Sequence, residues 1–242
     1  MAIIDDAGAS SLTTIAAGLG IPAATAYRLV ASLVDAQMVL AVGGGRHLPG
    51  PGLALRLDQI SLRPALLALG RPVVARLSRK TGSIAHLGVL ENDMVTYLIK
   101  AGRRKHPSFT AEGKQLEAYC SGIGKILLAA LPESALTEYL KAGPFVPLTE
   151  NTITDPARLR AEIDAVRRQG FARDTEEIAH GLFCISVGIN GPDGRALAAL
   201  SISRTRPDRD EAGLAQSLSM LREGAAHLEQ RLFGCGSLEP LR

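Results

Sequence analysis

The sequence predicts an α+β protein, in which a small helical unit is followed by a larger unit built on an antiparallel sheet. Residues 12–36 show the periodicity of two short helices around Gly20. Farther along, segments rich in Val, Leu and Ile come in pairs joined by the tight-turn sequences Glu91-Asn92-Asp93 and Gly191-Pro192-Asp193-Gly194. Strands joined in this way form hairpins, so the sheet should be antiparallel rather than a doubly wound parallel one.

The composition of the 242 residues is that of a globular protein, with 46% hydrophobic and 21% charged residues. This balance excludes disordered, collagen-like and disulfide-scaffold proteins. A net charge of +3 is too small to indicate nucleic-acid binding by itself. Cys120, Cys184 and Cys235 are far apart and form no Cys-x-x-Cys or Cys/His cluster, so we expect no metal and no cofactor.

The same sequence predicts a cytoplasmic protein. Three cysteines would leave one thiol outside any internal disulfide set, which suits a reducing compartment. Residues 7–27 carry no charge, but they contain Gly, Ser, Thr and Pro22 and follow two aspartates. A signal peptide or a membrane-spanning helix has a different pattern, so no membrane association is expected.

The first helical pair has the pattern of a helix-turn-helix. Four apolar residues share one face of the first helix, and Gly20 permits the left-handed turn that separates it from a helix starting at Pro22. Residues at spacings of three and four predict a buried stripe on the second helix, which in a helix-turn-helix enters the DNA major groove. The two apolar sets are Leu12, Ile15, Ala16 and Leu19, and then Ala26, Leu29, Val30 and Leu33.

A small hairpin with a glycine tip should follow this pair as a wing. Its strands are predicted at residues 38–42 and 46–48, around Gly43-Gly44-Gly45. We expect Thr25, Arg28 and Ser32 to face DNA bases, and Tyr27, Thr13 and Arg46 to face phosphates. A simple helical hairpin with a glycine turn would show a similar pattern, so an ordinary structural role is the alternative.

The low net charge of the N-terminal unit implies that the protein binds DNA as an oligomer. Residues 1–60 contain three arginines against four aspartates, a net charge of −1. One such unit should bind phosphates weakly, so a homodimer or homotetramer on a double-stranded operator is expected. The predicted domains are a winged helix-turn-helix at 1–57, a linker helix at 58–70 and an effector-binding domain at 71–235.

The second unit begins with a helix over Arg71–Lys80 and continues with alternating strands and helices. Helices are expected where a capping residue or a proline precedes an amphipathic run, and they should end at glycines. In chain order the predicted elements are strands at 83–90 and 94–101, helices at 121–131, 132–142 and 156–169, strands at 183–190 and 195–203, and a helix from Pro207 to Phe233.

Four segments together resemble the IclR family of bacterial transcriptional regulators, over nearly the whole chain. They are "LTTIAAGLGIPAATAYRLVASLVDA" at 12–36, "LEAYCSGIGKILLAALP" at 116–132, "NTITDPARLRAEIDAVRRQGFARDTEEIAHGLFCISVGI" at 151–189 and "DGRALAALSIS" at 193–203. The resemblance implies a winged helix-turn-helix, a linker helix and a GAF-like effector domain. It also implies dimers or tetramers that bind small organic acids, either aromatic carboxylates or short acids such as glyoxylate or pyruvate.

Carried over by motif, the resemblance implies an effector pocket made of Leu116, Gly122, Ile123, Asp174, Leu182, Cys184, Ser201 and Ser203. The chemistry of several of these residues agrees. Amides near Gly122 would open a helix, where free N–H groups and the dipole favour a carboxylate. Ser201 and Ser203 are two apart on a strand and face one side, while an ionised Asp174 could only accept a hydrogen bond.

The sequence departs from the family at the N-terminus and in the wing. Only 11 residues precede Leu12, so either the start is short or the DNA-binding domain is incomplete, with a truncated first helix. Ala24 replaces a common serine, and His47 and Pro49 replace the usual Tyr and Leu.

Other residue groups suggest alternative sites. Gly122-Ile123-Gly124-Lys125 lacks phosphate-loop spacing. Cys184 with His180 could be a nucleophile and base, although no third orienting group is evident. Asp174, Glu176 and Glu177 could bind a metal, or be a solvated loop. The basic run Lys100, Arg103, Arg104, Lys105 and His106 could be a solvated face, a second DNA contact or a lid over an anionic effector.

The functional prediction is a non-enzymatic, ligand-responsive regulator of a catabolic operon. The alternative is a small-molecule-binding protein or an enzyme with a vestigial DNA-binding domain. The short N-terminus and the low net charge of the DNA-binding segment favour this alternative.

Overall fold

A computed structural model describes residues 10–52, 61–102, 110–205 and 211–234. The chain divides into two compact units, Met1–Leu62 and Arg63–Arg242. The expected truncated first helix and the basic residues at 103–106 lie outside the described residues, as does Cys235. The domain limits predicted from the sequence remain predictions.

The N-terminal unit contains the predicted helix-turn-helix and wing. Helix α1 (Leu12–Leu19) is capped by Ser11, whose hydroxyl accepts the Thr14 N–H, and it ends at Gly20 with φ +64°. Helix α2 (Ala23–Asp35) follows at an angle of 112°. Three short strands form an antiparallel sheet in the order β1-β3-β2, with bounds Ser10–Ser11 (β1), Val39–Ala41 (β2) and Arg46–Pro49 (β3).

The buried stripe of α2 is narrower than predicted. Ala26 and Val30 are buried, but Leu29 and Leu33 are 51% and 44% exposed. In the described residues α2 packs against α1 and β2, and these contacts cover one narrow side of the helix. The prediction that Leu29 and Leu33 are buried was therefore wrong for this unit.

The C-terminal unit is built on one six-stranded antiparallel sheet, which confirms the predicted α+β class. The strand order is β6-β5-β4-β9-β8-β7. The strands are Ile84–Glu91 (β4), Met94–Ala101 (β5), Gln115–Glu117 (β6), Ala172–Thr175 (β7), Phe183–Asn190 (β8) and Ala196–Arg204 (β9). The helices are Arg63–Thr81 (α3), Gly122–Ala130 (α4), Glu133–Lys141 (α5), Pro156–Gln169 (α6) and Glu211–Phe233 (α7).

Two apolar clusters flank this sheet. Residues of α3 and α7, including Leu77 and Leu221, join one of them, while α4 and α6 contribute Ile126 and Ile163 to the other. Gly70 lets α3 approach the strands closely, because a Cβ there would lie 2.8 Å from side-chain carbons of Leu87 and Ile99. The sheet is therefore covered on both faces by helices.

Helix α3 is one continuous helix where the sequence predicted two. The predicted linker ended at residue 70 and a new helix began at Arg71, whereas α3 continues through Pro72 to Thr81. Pro64 lies in the first turn, where its missing N–H has no helical partner to lose. Burial of Leu66, Val73, Val74 and Leu77 along one side offsets the cost of the internal proline.

Most of the remaining element boundaries were predicted within one or two residues. Asn92 and Asp93 have positive φ values, as a two-residue hairpin turn requires. Asp155 caps α6 and Gly170 ends it in the left-handed region. The short strands β1, β6 and β7 were not predicted. In the described part of the chain no single helix is long and apolar enough to cross a membrane, whereas the bent pair α1 and α2 reaches that length and hydropathy together.

Candidate functional site

Strand pairing places polar side chains in two rows across one face of the sheet. In one row Asp174 pairs with Cys184, Cys184 with Ser203, and Ser203 with Ile84. In the neighbouring row Ser186 pairs with Ser201, and Ser201 with His86. Alternation along each strand puts these side chains on the same side. Polar groups therefore meet where this face of the sheet would otherwise be apolar.

The N-terminus of α4 lies over these rows. Ser121 caps the helix, and its hydroxyl accepts the Gly124 N–H at 3.0 Å. The N–H groups of Gly122 and Ile123 belong to the first turn, so they have no carbonyl partner within the helix. A Cβ on Gly122 would lie 2.6 Å from the Ser186 hydroxyl oxygen, so glycine is needed for this close approach.

The eight residues that the family resemblance implies for an effector site all line one pocket. The pocket also has seven lining residues outside that set, of which Ser121 was expected at the start of the helix. The additional residues are Ile84, His86, Tyr97, Thr110, Ser121, Ile178 and Ser186. Ser186 could have been predicted, since it alternates with Cys184 on β8 as Ser203 does with Ser201 on β9. Whether these residues bind an effector stays a proposal.

Hydrogen bonds hold several of the pocket hydroxyls in place. The Cys184 sulfur lies 3.1 Å from the Ser203 hydroxyl. His86 Nε2 is 2.8 Å from the Thr110 hydroxyl, and its Nδ1 is 3.4 Å from the Ser201 hydroxyl. Burial, helped by the nearby Lys100 charge, lowers the pKa of His86 to about 3. His86 is therefore neutral near pH 7 and adds no positive charge to the pocket.

Two buried oxygens in the pocket have no hydrogen-bond partner among the described residues. They are Oδ2 of Asp174 and the hydroxyl of Ser186, whose residues are 1% and 0% exposed. The other oxygen of Asp174 accepts the Glu177 N–H at 2.8 Å. Burial raises the pKa of Asp174 to about 6, although that N–H and the Lys125 charge act in the opposite direction. Unpaired buried polar atoms are costly, which makes this pocket a candidate binding site.

A buried lysine connects the pocket helix to the segment after Asp174. Lys125 is 1% exposed, and its ammonium lies 2.6 Å from Glu177 and 3.1 Å from Glu162. Burial alone would lower the pKa of Lys125, but attraction to both carboxylates outweighs burial and raises it. Burial raises the pKa of Glu177 to about 7, with Lys125 partly offsetting that effect. Lys125 therefore stays charged, and its ammonium is bound by two carboxylates rather than directed at a phosphate.

The structure gives no support to a Cys184–His180 pair. His180 is largely exposed and lies 3.3 Å from Glu150, while the Cys184 thiol contacts Ser203. Glu176 and Glu177 diverge, because a Glu176 oxygen accepts the Gly181 N–H and Glu177 turns toward Lys125. Among the described residues no group of three or more His, Cys, Asp or Glu side chains is arranged to hold a metal ion.

A second, more open cleft of about 760 Å³ lies where α4, α6 and α7 meet the ends of β8 and β9. Arg167 on its wall pairs with Glu133 and Asp164, and it also donates to the carbonyls of Ala129 and Leu131. Glu133 pairs with Arg160 as well. None of the eight residues implied for the effector site lines it.

The predicted DNA-contacting residues lie on accessible parts of the N-terminal unit. Tyr27 is 63% exposed, Arg28, Ser32, Arg46 and Thr13 are exposed, and Thr25 is half-buried. The Ser32 hydroxyl donates to the Arg28 carbonyl at 3.1 Å. Arg46 opens β3 directly after three glycines with positive φ, so it lies at the tip of the wing.

Comparison with known families decides the identity of the chain. Residues 62–230 match the family described as the C-terminal part of the bacterial transcriptional regulator IclR, and residues 2–42 match the IclR helix-turn-helix domain. The chain belongs to the IclR family. This confirms the resemblance from the sequence and the predicted winged helix-turn-helix with an α+β second domain.

Individual IclR-family relatives agree. The chain is 33% identical to the HTH-type transcriptional regulator RhmR of Escherichia coli K12, over 82% of this chain and 77% of RhmR. It is 31% identical to the Pca regulon regulatory protein of Pseudomonas putida, over 88% and 74%. An IclR-type regulator from Silicibacter sp. TM1040 shares its fold with a TM-score of 0.70 at 29% identity, covering 96% of this chain and 91% of that one.

Proposed function

We propose that this IclR-family member is a ligand-responsive repressor or activator of a catabolic operon. In this proposal the protein binds a small organic acid in the pocket of the C-terminal unit and is not an enzyme. The observation that carries the ligand part is the convergence of unpaired buried oxygens and a helix N-terminus in one pocket. A carboxylate can accept hydrogen bonds from the Gly122 and Ile123 N–H groups and from Ser186, Ser201 and Ser203.

The size of the pocket bears on how the acid enters. The closed space between the lining residues is about 20 Å³, which is roughly the room that one water molecule requires. An organic acid must therefore displace the walls as it binds. Such a displacement gives the ligand a different affinity for the open and closed arrangements, which is what allosteric control requires.

DNA binding is assigned to α2 and the wing. Thr25, Arg28 and Ser32 would contact bases, while Thr13, Tyr27 and Arg46 would contact phosphates. Helix α1 has no charged residue, and α2 and β3 carry one arginine each, so one unit binds DNA weakly. A homodimer or homotetramer on a pseudo-palindromic operator would supply the missing contacts.

Two measurements test the proposal. A thermal-shift screen with glyoxylate, pyruvate and benzoate should raise the melting temperature, because a ligand that binds only the folded state stabilises it. Gel-shift titrations with DNA from upstream of the neighbouring operon should show binding that weakens with salt and changes with the acid. Sequence-indifferent and salt-insensitive binding would argue against the DNA assignment.

Ser186→Ala is the sharpest variant for the pocket. The Ser186 hydroxyl has no partner among the described residues, so its removal should leave stability unchanged or slightly raised. If the hydroxyl donates to the carboxylate of the acid, affinity should fall about 10- to 100-fold, because one hydrogen bond to a charged group is lost. Ser219→Ala, at an exposed serine of α7, is the matched control and should leave affinity unchanged.

A further inference from the structure

The charges around the pocket are a difficulty for an anionic ligand. In the described residues, no lysine or arginine lines the pocket, and Asp174 is the carboxylate on its wall. Behind Asp174, Glu177 and Glu162 share the single ammonium of Lys125. Three carboxylates are thus placed around one cation, and an organic acid would add a fourth negative charge. Like charges in a poorly hydrated site repel strongly.

Ionisable groups from several elements act on Asp174 or on its neighbours. Those that interact with Asp174 itself are Cys184 on β8, Tyr97 on β5, Cys120 before α4, Lys125 on α4 and Glu177 in the loop after β7. Lys100 on β5 acts on His86 of β4, and Glu162 on α6 acts on Glu177. Burial raises the pKa values of Tyr97 and Cys120, and lowers that of His86, so these three are neutral near pH 7. These three neutral groups cannot neutralise an incoming anion, and the ammonium of Lys100, the other cation near the pocket, donates to the Thr110 carbonyl at 2.6 Å.

Asp174 has the geometry to offset the charge of an incoming anion by taking up a proton. Its Oδ1 is held by the Glu177 N–H, and its buried Oδ2 has no hydrogen-bond partner among the described residues. A proton on Oδ2 would turn that atom from an acceptor into a donor. The pKa of Asp174, raised to about 6 by burial, puts the proton within reach near neutral pH once an anion lies beside it.

We propose that a carboxylate effector enters this pocket together with one proton from solvent, which Asp174 Oδ2 holds and donates as a hydrogen bond to the ligand. This inference rests on the proposed function, because it concerns the same pocket and the same class of ligand. The ligand's negative charge and the proton then cancel, so the pocket gains no net charge. Acid binding is favoured as the pH falls, and the site prefers an anion over a neutral ligand that cannot accept from Asp174.

The test compares wild-type protein with Asp174→Asn, using pyruvate, glyoxylate and benzoate as probes at pH 5.5, 6.5, 7.5 and 8.5. Asparagine keeps an acceptor for the Glu177 N–H and presents N–H donors where the proton would be. In the wild type, Kd should rise about tenfold for each pH unit above the Asp174 midpoint. Calorimetry at pH 7.5 in phosphate and Tris, which differ in ionisation enthalpy, should report uptake of about one proton.

In Asp174→Asn the Kd should lose most of its pH dependence and lie close to the wild-type value at pH 5.5, whereas an undiminished pH dependence would assign the proton to Glu177, whose pKa is raised to about 7, and would overturn the inference. Ser186→Ala is the control, since it should weaken binding equally at every pH and keep the proton uptake. A melting curve of each variant checks that it is folded. Wild-type binding without pH dependence would overturn the inference, and so would loss of binding at every pH in Asp174→Asn, because the ionised carboxylate of Asp174, rather than a donor at Oδ2, would then be required for binding.

Different experimental results would contradict the regulator assignment and the proposed role of Asp174. Binding of an acid without proton uptake leaves the regulator assignment intact and contradicts only the role of Asp174. If none of the three acids binds even at pH 5.5, while operator DNA is still bound, the acid-binding assignment and the proton inference are both wrong.

Discussion

The ammonium of Lys125 lies 2.6 Å from a carboxylate oxygen of Glu177, and both residues are buried. Lys125 belongs to the first turns of α4, whose N-terminus faces the pocket, and Glu177 follows Asp174 by three residues. The ion pair therefore fixes two walls of the pocket relative to each other. A ligand that moves either wall must also move this pair.

Replacing Lys125 by Met should destabilise the protein strongly. The variant leaves Glu177 buried without its cation, and removing one partner of a buried pair typically costs about 3–5 kcal/mol. Lys141→Met removes the exposed ion pair with Glu138 and should cost less than about 0.5 kcal/mol. Urea unfolding of the full chain measures both, and equal losses in the two variants would show that the Lys125 pair is not structural.

Asp174 and Glu177 should make the protein less stable as the pH rises. Burial raises their pKa values in the folded state to about 6 and about 7, from ordinary values of 3.8 and 4.5. The folded state therefore holds more protons than the unfolded state between these limits, and stability contributed by protonation is lost as the pH rises from about 4 to about 7. For Asp174 the difference corresponds to about 3 kcal/mol.

Melting temperatures of wild type and Asp174→Asn between pH 4 and 8 check this expectation. Asparagine cannot ionise, so the variant should gain stability over the wild type as the pH rises, and the two should converge near pH 4. Asp193→Asn, at an exposed turn carboxylate, should run parallel to the wild type. A constant offset between Asp174→Asn and wild type across the range would mean that Asp174 is ionised in the folded state throughout.

Local signals explain why much of the fold could be predicted. Asp155 before Pro156 and Gly170 after Gln169 define α6 through groups only a few residues apart, and the structure keeps both ends. Alternation along β9 placed Ser201 and Ser203 on one side without knowledge of the neighbouring strands. The effector-site residues came from the family resemblance, and the structure brings them to one pocket.

The features that were missed depend on contacts between distant residues. Strands β1, β6 and β7 have two to four residues, too few for a periodicity, and exist through their pairing partners. Helix α3 continues past Gly70 and Pro72 because one side of it is buried against the sheet. The residues next to Lys125 give no sign that it is buried, because its partners Glu162 and Glu177 lie 37 and 52 residues later in the chain.

Gly122 and Gly124 should respond differently to alanine. A Cβ on Gly124 would lie 2.1 Å from the Ala118 carbonyl oxygen, whereas one on Gly122 would meet the Ser186 hydroxyl at 2.6 Å. Backbone cannot give way as a serine rotamer can, so Gly124→Ala should lower the melting temperature much more than Gly122→Ala. Gly122→Ala should instead abolish acid binding, and Gly122→Ala combined with Ser186→Gly should recover some of it. Equal decreases in melting temperature in the two single variants would contradict the inference that backbone limits the space at Gly124 and a side chain limits it at Gly122.

Arg46 and Arg28 should affect DNA binding in different ways. Arg46 lies at the tip of the wing, where a phosphate contact carries no sequence information, so Arg46→Ala should weaken binding to all sequences alike. The slope of log K against log salt should become shallower by about 0.9 for each phosphate that is no longer neutralised, and a dimer carries two such arginines.

Arg28 is exposed on α2, and Arg28→Ala should cost about 1–3 kcal/mol on the operator and much less on unrelated DNA. Fluorescence anisotropy with an operator selected from random duplexes, measured at several salt concentrations, separates the two effects. Arg195→Ala removes a comparably exposed arginine from the C-terminal unit and should leave affinity and salt slope unchanged. If all three variants weakened binding to the same extent, net charge rather than the helix-turn-helix geometry would be responsible.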